Sequence, residues 1–283
     1  MISKNLSLSR RKGFWKDFWT SAILFAIAIA FMFPILWTLL ISVKKTVDAL
    51  AIPPKWLFTP TLEHYLTVWG DGRFAQYAMN SLVVALTATF IGVTLATPAG
   101  YILARYRPKG DKLILFGILS TRMMPAVAFM IPFFIIFSTL HLIDTYFSLI
   151  IMHLTIILGY VIWLMRSYFL DIPRELEEAA MVDGCTHFGA FLRIVLPIAA
   201  PGLATSAIFS FIYSWNEFLY ALIVTGNTTK TIPIGIYNWV AWEEVHWGEL
   251  TAAAMLALVP VVIFYFFVQK ALVRGLTLGA VKG

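Results

Sequence analysis

A single cysteine, Cys185, leaves this 283-residue chain unable to form an internal disulfide, which excludes a stapled secreted scaffold. No glycine is followed by lysine, so a phosphate loop of the Gly-x4-Gly-Lys-Ser/Thr type is absent. Charge is scarce too: Asp, Glu, Lys and Arg make up 13% of the chain, against about 25% in an ordinary soluble domain. Too few ions remain to cover a surface that faces water on all sides. With 60% hydrophobic residues and a mean hydropathy of +0.83, the rest of that surface must face lipid. Soluble enzymes and disordered regulators are excluded on the same ground.

Six apolar stretches approach the roughly 20 residues that cross a bilayer as a helix. They run over about 19–42, 78–104, 113–140, 146–163, 198–224 and 250–268. The runs are continuous rather than alternating, so each is read as a helix and the fold class as all-α, polytopic, with six transmembrane helices. The first run follows Arg10, Arg11, Lys12 and Lys16, yet it is longer than the ~7–15 residues of a signal-peptide core and reads as an uncleaved anchor.

The basic residues set the orientation. Lys4, Arg10, Arg11, Lys12 and Lys16 precede the first run, and Arg105, Arg107, Lys109 and Lys112 follow the second. Arg166, Arg174 and Arg193 lie between the fourth and fifth, and Lys270, Arg274 and Lys282 follow the last. The opposite side holds Lys44, Lys45, Lys55, Arg73 and Lys230, which is a bias of roughly three to one. Both termini are therefore expected in the cytoplasm. The net charge of +6 is explained by topology and needs no nucleic acid.

No repeat, low-complexity tract or Gly/Ser linker interrupts residues 1–283, which read as one membrane domain. Two outer segments are rich in tryptophan: Trp56 and Trp69 in the first, and Trp239, Trp242 and Trp247 beside Glu243 and Glu244 in the second. They suit an aromatic belt, a docking surface for an external partner, or both. The inner stretch 166–193 is more informative. Asp171 is placed to cap a helix, Pro173 suits its first turn, and Glu175, Glu177 and Glu178 sit near its positive end. Gly184 is its natural stop. Leu176, Ala179, Ala180 and Val182 are expected on an exposed apolar side whose small residues admit another surface. The acidic polar face argues for a protein partner over anionic lipid.

Glu178-Ala179-Ala180, three residues, Gly184, nine residues, then Ile194-x-Leu196-Pro197 resembles the EAA loop of permease subunits in bacterial ABC importers. Phe33-Pro34-Ile35-Leu36-Trp37, Ser42-Val43-Lys44, Trp215-Asn216-Glu217-Phe218 and the tail from Gly275 to Gly283 extend the similarity to the carbohydrate-uptake, maltose-type branch, as its second permease. The resemblance implies a heterodimer with a homologous permease, two cytoplasmic ATPase subunits that carry ATP and Mg, and an external solute-binding protein in a bacterial inner membrane. It implies no cofactor on this chain. It makes 166–193 the coupling loop, with Glu178, Ala179, Ala180, Asp183 and Gly184 contacting the ATPase and Ile194, Leu196 and Pro197 joining the helix to the fifth span.

Ionisable and polar groups inside the spans are costly and face a cavity or a neighbouring helix. Arg122 and Glu217 stand out, but their depths differ by roughly 13 Å at about 1.5 Å per residue, which argues against a salt bridge between them. Glu217 suits either a buried bond within a permease dimer or the solute path. Ser206, Ser210, Tyr213, Ser214, Asn216 and Tyr220 supply groups that could replace water around a sugar, or that pack helices. Gly92, Ala96 and Gly100 form a small-residue packing stripe, and Pro98, Pro125, Pro132 and Pro201 are expected to kink their helices. His153 has no carboxylate or cysteine at ligand spacing, so no metal is expected.

Two competing readings follow. A secondary transporter or channel for a small polar solute calls for inverted repeats or a proton relay, and an intramembrane enzyme for a Ser-His or paired-carboxylate constellation at membrane depth. The sequence displays neither.

Overall fold

The computed structural model describes the backbone of residues 2–70, 72–106, 108–240 and 245–280, with side chains at 18–70, 72–106, 108–240, 245–266 and 269. Arg107, Trp242, Glu243, Glu244 and Val281-Lys282-Gly283, and the side chains of the N-terminal basic cluster and the tail, lie outside the described residues. Outside its helices the described backbone holds turns, irregular stretches such as 51–62 and one isolated bridge between Val240 and Val245. Contacts divide the chain into two compact units, Met1–Gly70 with Trp239–Leu256, and Asp71–Asn238 with Ala257–Gly283.

In the first unit, α1 (Ile2–Ser42) carries the apolar stretch Phe18–Ser42, and short helices α2 (Thr46–Ala49) and α3 (Glu63–Gly70) follow. The Lys44 ammonium is buried over the rings of Trp37 and Phe58, at 5.5 and 5.0 Å from their centroids. Nε2 of buried His64 lies 2.9 Å from the Lys44 carbonyl, and its Nδ1 lies 3.1 Å from Glu249.

The second unit contains α4 (Arg73–Arg105), α5 (Asp111–Met123), α6 (Ala126–Thr139), α7 (Tyr146–Asp171), α8 (Glu175–Val182), α9 (His187–Ile198), α10 (Ala200–Asn216), α11 (Leu219–Val224) and α12 (Ile232–Tyr237). The last helix, α13 (Trp247–Ala280), begins in the first unit and ends in the second. The small-residue stripe packs α4 on α7: a Cβ on Gly92 would strike the Ile157 side chain, and one on Gly100 would stand 3.0 Å from the Ile162 carbonyl. Around it, Ala96, Ile157, Val161, Met165 and Phe169 form a buried core that also receives Phe191 and Val195 of α9.

Among the described residues, four helices are long and apolar enough to cross a membrane alone, and two bent pairs raise the number to six if each pair is one crossing. The expected third run breaks at Met124-Pro125, with α5 and α6 at 90°, a far sharper bend than a proline kink. α9 and α10 meet at 73° next to Pro201. The expected fifth run breaks again at Glu217-Phe218, where the backbone turns extended before α11. α7 runs on to Asp171, so this residue closes a long helix and does not cap the next one. Pro173 correspondingly precedes α8 and lies outside its first turn.

Candidate functional site

Two places in the second unit gather the residues singled out by sequence. At the first, α8 opens with Glu175, Glu177 and Glu178 in its first turn, where helix-end N–H groups favour negative charge. It closes at Asp183 with a Schellman arrangement: the Cys185 N–H donates to the Ala180 carbonyl at 2.9 Å and the Gly184 N–H to that of Met181 at 3.0 Å. Gly184 has φ +90°, the left-handed backbone that this closure demands.

The helix is fastened from one side. The Tyr101 hydroxyl of α4 donates to Glu177 Oε2 at 2.7 Å, and Arg105 Nε stands 2.5 Å from Oε1 of the same carboxylate. Arg105 also donates to the Ile172 carbonyl, and Arg174 donates back to the Arg105 carbonyl at 2.8 Å. The Tyr101 ring in turn meets Phe169 of α7 and Phe191 of α9, with centroids 5.5 and 4.6 Å apart. One tyrosine thus links the loop helix to three others.

The opposite side is open. Glu178, Ala179, Asp183 and Gly184 are exposed, and Val182 is 87% exposed with Leu176 and Phe188 also outward. Ala180 is the exception to the expected docking face: only 7% exposed, it turns into the chain. The outward apolar surface is therefore made by Leu176, Ala179 and Val182. Past α8, Phe191 and Val195 bury into the core, Leu196 packs beside them, Ile194 is half-buried and Pro197 is exposed at the start of the bend. Phe191–Val195 is π-helical, a wider winding that lets this segment seat both aromatic and aliphatic side chains inward.

At the second place, Arg122, Tyr160, Phe209, Ser210 and Tyr213 line a cavity of about 230 Å³ with Ile156, Ile157 and Ile212. The Arg122 guanidinium sits 5.0 Å over the Tyr160 ring. Ser210 is 1% exposed and its hydroxyl has no hydrogen-bond partner. Ser214 and Glu217 turn elsewhere, to the buried His153, and the Tyr220 ring packs into the core with Leu149 and Met152. Ser214 Oγ lies 2.6 Å from His153 Nδ1, and Glu217 Oε2 lies 3.5 Å from Nε2. Glu217 also accepts from the N–H groups of Tyr220 and Ala221 at 2.9 and 3.1 Å, capping α11 at the break. Asn216 donates within its own helix to Ile212. Arg122 and Glu217 are not paired, as their depths implied. His153, with no carboxylate at ligand spacing in the sequence, receives Glu217 from 64 residues away through the tertiary fold.

Residues 96–278 match the family described as binding-protein-dependent transport system inner membrane component. The chain belongs to this family. It is 36% identical, over 99% of both chains, to the probable ABC transporter permease protein y4oR of Sinorhizobium fredii. It is 33% identical to the trehalose transport system permease protein SugB of Mycobacterium tuberculosis, over 97% of this chain and 99% of that one. In fold it resembles a chain of a crystallised bacterial ABC transporter involved in import of the acidic polysaccharide alginate: TM-score 0.72, 23% identity, 89% of this chain and 94% of the other covered. This permease family comprises membrane subunits that are not themselves enzymes.

One residue of this permease gave no signal at the sequence level. Asp144, at φ +60°, accepts from the N–H groups of Gly226, Asn227, Thr228 and Thr229 at 2.9–3.1 Å and from the Thr229 hydroxyl at 2.6 Å. Burial alone would raise its pKa, but the donors of Thr229, Gly226 and Thr228 prevail and hold the carboxyl well below the usual range. The available cue was the turn-prone run Gly226-Asn227-Thr228-Thr229; nothing local pointed to its acceptor 82 residues earlier.

Proposed function

We propose that this chain is one of two permeases of an ATP-driven importer for a saccharide or polyol, and that α8 is the helix through which a separate ATPase drives it. The observation that carries this reading is the tether of Glu177 to Tyr101 and Arg105, which fixes a surface helix to the end of a long apolar helix while leaving its other side bare. A displacement of α8 would then reach α4, α7 and α9 as a rigid-body shift, because packed helices switch between discrete arrangements and do not deform continuously. Family membership and the trehalose permease among its relatives support the solute class.

In this reading both bent pairs are crossings, giving six spans with both termini in the cytoplasm. The partners are a homologous permease, two ATPase subunits holding ATP and Mg, and an extracytoplasmic solute-binding protein. Closure of the ATPases pulls α8 and turns the path outward to receive solute. The test is reconstitution of the assembly in proteoliposomes. Uptake that requires ATP and the solute-binding protein is expected. Uptake that persists without ATP and follows an ion gradient contradicts it.

A further inference from the structure

We propose that the cavity at Arg122 receives the negative group of an acidic saccharide, one bearing a carboxylate or sulfonate; this deepens, and rests on, the reading of the chain as a saccharide permease. Arg122 stands in the last turn of α5, immediately before the 90° bend. A guanidinium in an apolar span is expensive unless an anion or water meets it. Among the described residues lining the cavity it alone carries charge at neutral pH. Glu217 of the same unit is committed to His153 and to the α11 backbone.

What does face Arg122 is partial. The C-terminal end of α5 offers about half a negative charge, and the Tyr160 ring a quadrupole, but neither presents two coplanar oxygens to a guanidinium fork. The arginine stem passes Gly159 of α7, its Cγ 3.7 Å from where a Cβ there would stand, and the side chain remains exposed, open to a solute. Around it are the other contacts a sugar requires. Ser210 brings a buried hydroxyl with no partner, and Tyr160 and Phe209, edge to face at 5.9 Å, present aromatic surface to sugar C–H groups. A neutral sugar would leave the guanidinium as unmatched as before; an acidic one matches it.

The test measures ATP-driven uptake by the reconstituted importer with its own solute-binding protein. The probes are galacturonic and glucuronic acids, their di- and trisaccharides, and the neutral galactose and glucose counterparts. We expect uptake of an acidic member, falling at least about tenfold in Arg122→Gln and less in Arg122→Lys, with the assembly still purifying intact. Uptake of neutral members only, or an Arg122→Gln importer that still takes up the acidic one at the original rate, overturns the inference and leaves the permease reading intact. Loss of the second permease on purification of Arg122→Gln also overturns it, since Arg122 would then be paired across the dimer. Transport of no probed saccharide overturns the inference too, and the permease reading then stands or falls on whether any uptake by the assembly requires ATP and the solute-binding protein.

Discussion

The Tyr101 hydroxyl and the Glu177 carboxylate meet at 2.7 Å, joining the C-terminal end of α4 to α8. If force passes along this bond, its loss should uncouple transport without unfolding the chain. In Tyr101→Phe, which keeps the ring packed against Phe169 and Phe191, stability should fall by about 1 kcal/mol. Solute-stimulated ATP hydrolysis should fall several-fold, and Glu177→Gln should act in the same direction. Stimulation curves on purified assemblies measure this.

Gly184 makes a sharper prediction because strain and collision separate there. A Cβ at this position would meet nothing within 4 Å, yet φ is +90°. Gly184→Val should therefore cost about 1–2 kcal/mol through the backbone alone, and Gly184→Asn distinctly less. The loss should appear as a detached or frayed α8 with reduced coupling, and the order Gly > Asn > Val in stimulated ATP hydrolysis checks it. Equal behaviour of Asn and Val would point to a contact in place of strain.

These two positions show what was legible. Gly184 was readable because helix termination is local, as were the packing stripe Gly92-Ala96-Gly100 and the acidic first turn of α8. Tyr101–Glu177, His153–Glu217 and Asp144 with its loop were not, since each joins segments whose meeting is decided by how α4, α7 and α10 pack. The two sharp bends were legible in place, at Pro125 and Pro201, but not in degree: hydropathy reports apolarity along the chain and is blind to how far it turns inside an apolar run. Ala180 shows the limit of face arithmetic on a helix of two turns, where a small residue can belong to either side.

The stripe itself can be tested. Gly92→Leu would drive a side chain into Ile157 and should destabilise the α4–α7 pair by about 1–3 kcal/mol. A lowered thermal midpoint in detergent, with no specific effect on coupling in the surviving protein, is the expected signature.

Asp144 predicts a pH dependence. Its folded pKa lies below the ordinary value of about 3.9, so its contribution to stability is fully present above that value. As pH falls further, toward the lower folded value, the unfolded state binds more protons and that contribution is lost. The thermal midpoint of the wild-type chain should therefore drop between about pH 4 and pH 3 more than that of Asp144→Asn, which should already be less stable at pH 7. Parallel midpoints in the two proteins would remove Asp144 as the cause.

The most direct measurement of the central claim is a cross-link from α8. With Cys185→Ser removing the native thiol, Val182→Cys places a single thiol on the open side of the helix. In the assembled importer it should cross-link through a short spacer to the ATPase subunit, and locking it should stop solute-stimulated hydrolysis. A thiol that remains freely labelled by a water-soluble maleimide, with and without ATP, and never joins the ATPase would contradict the account.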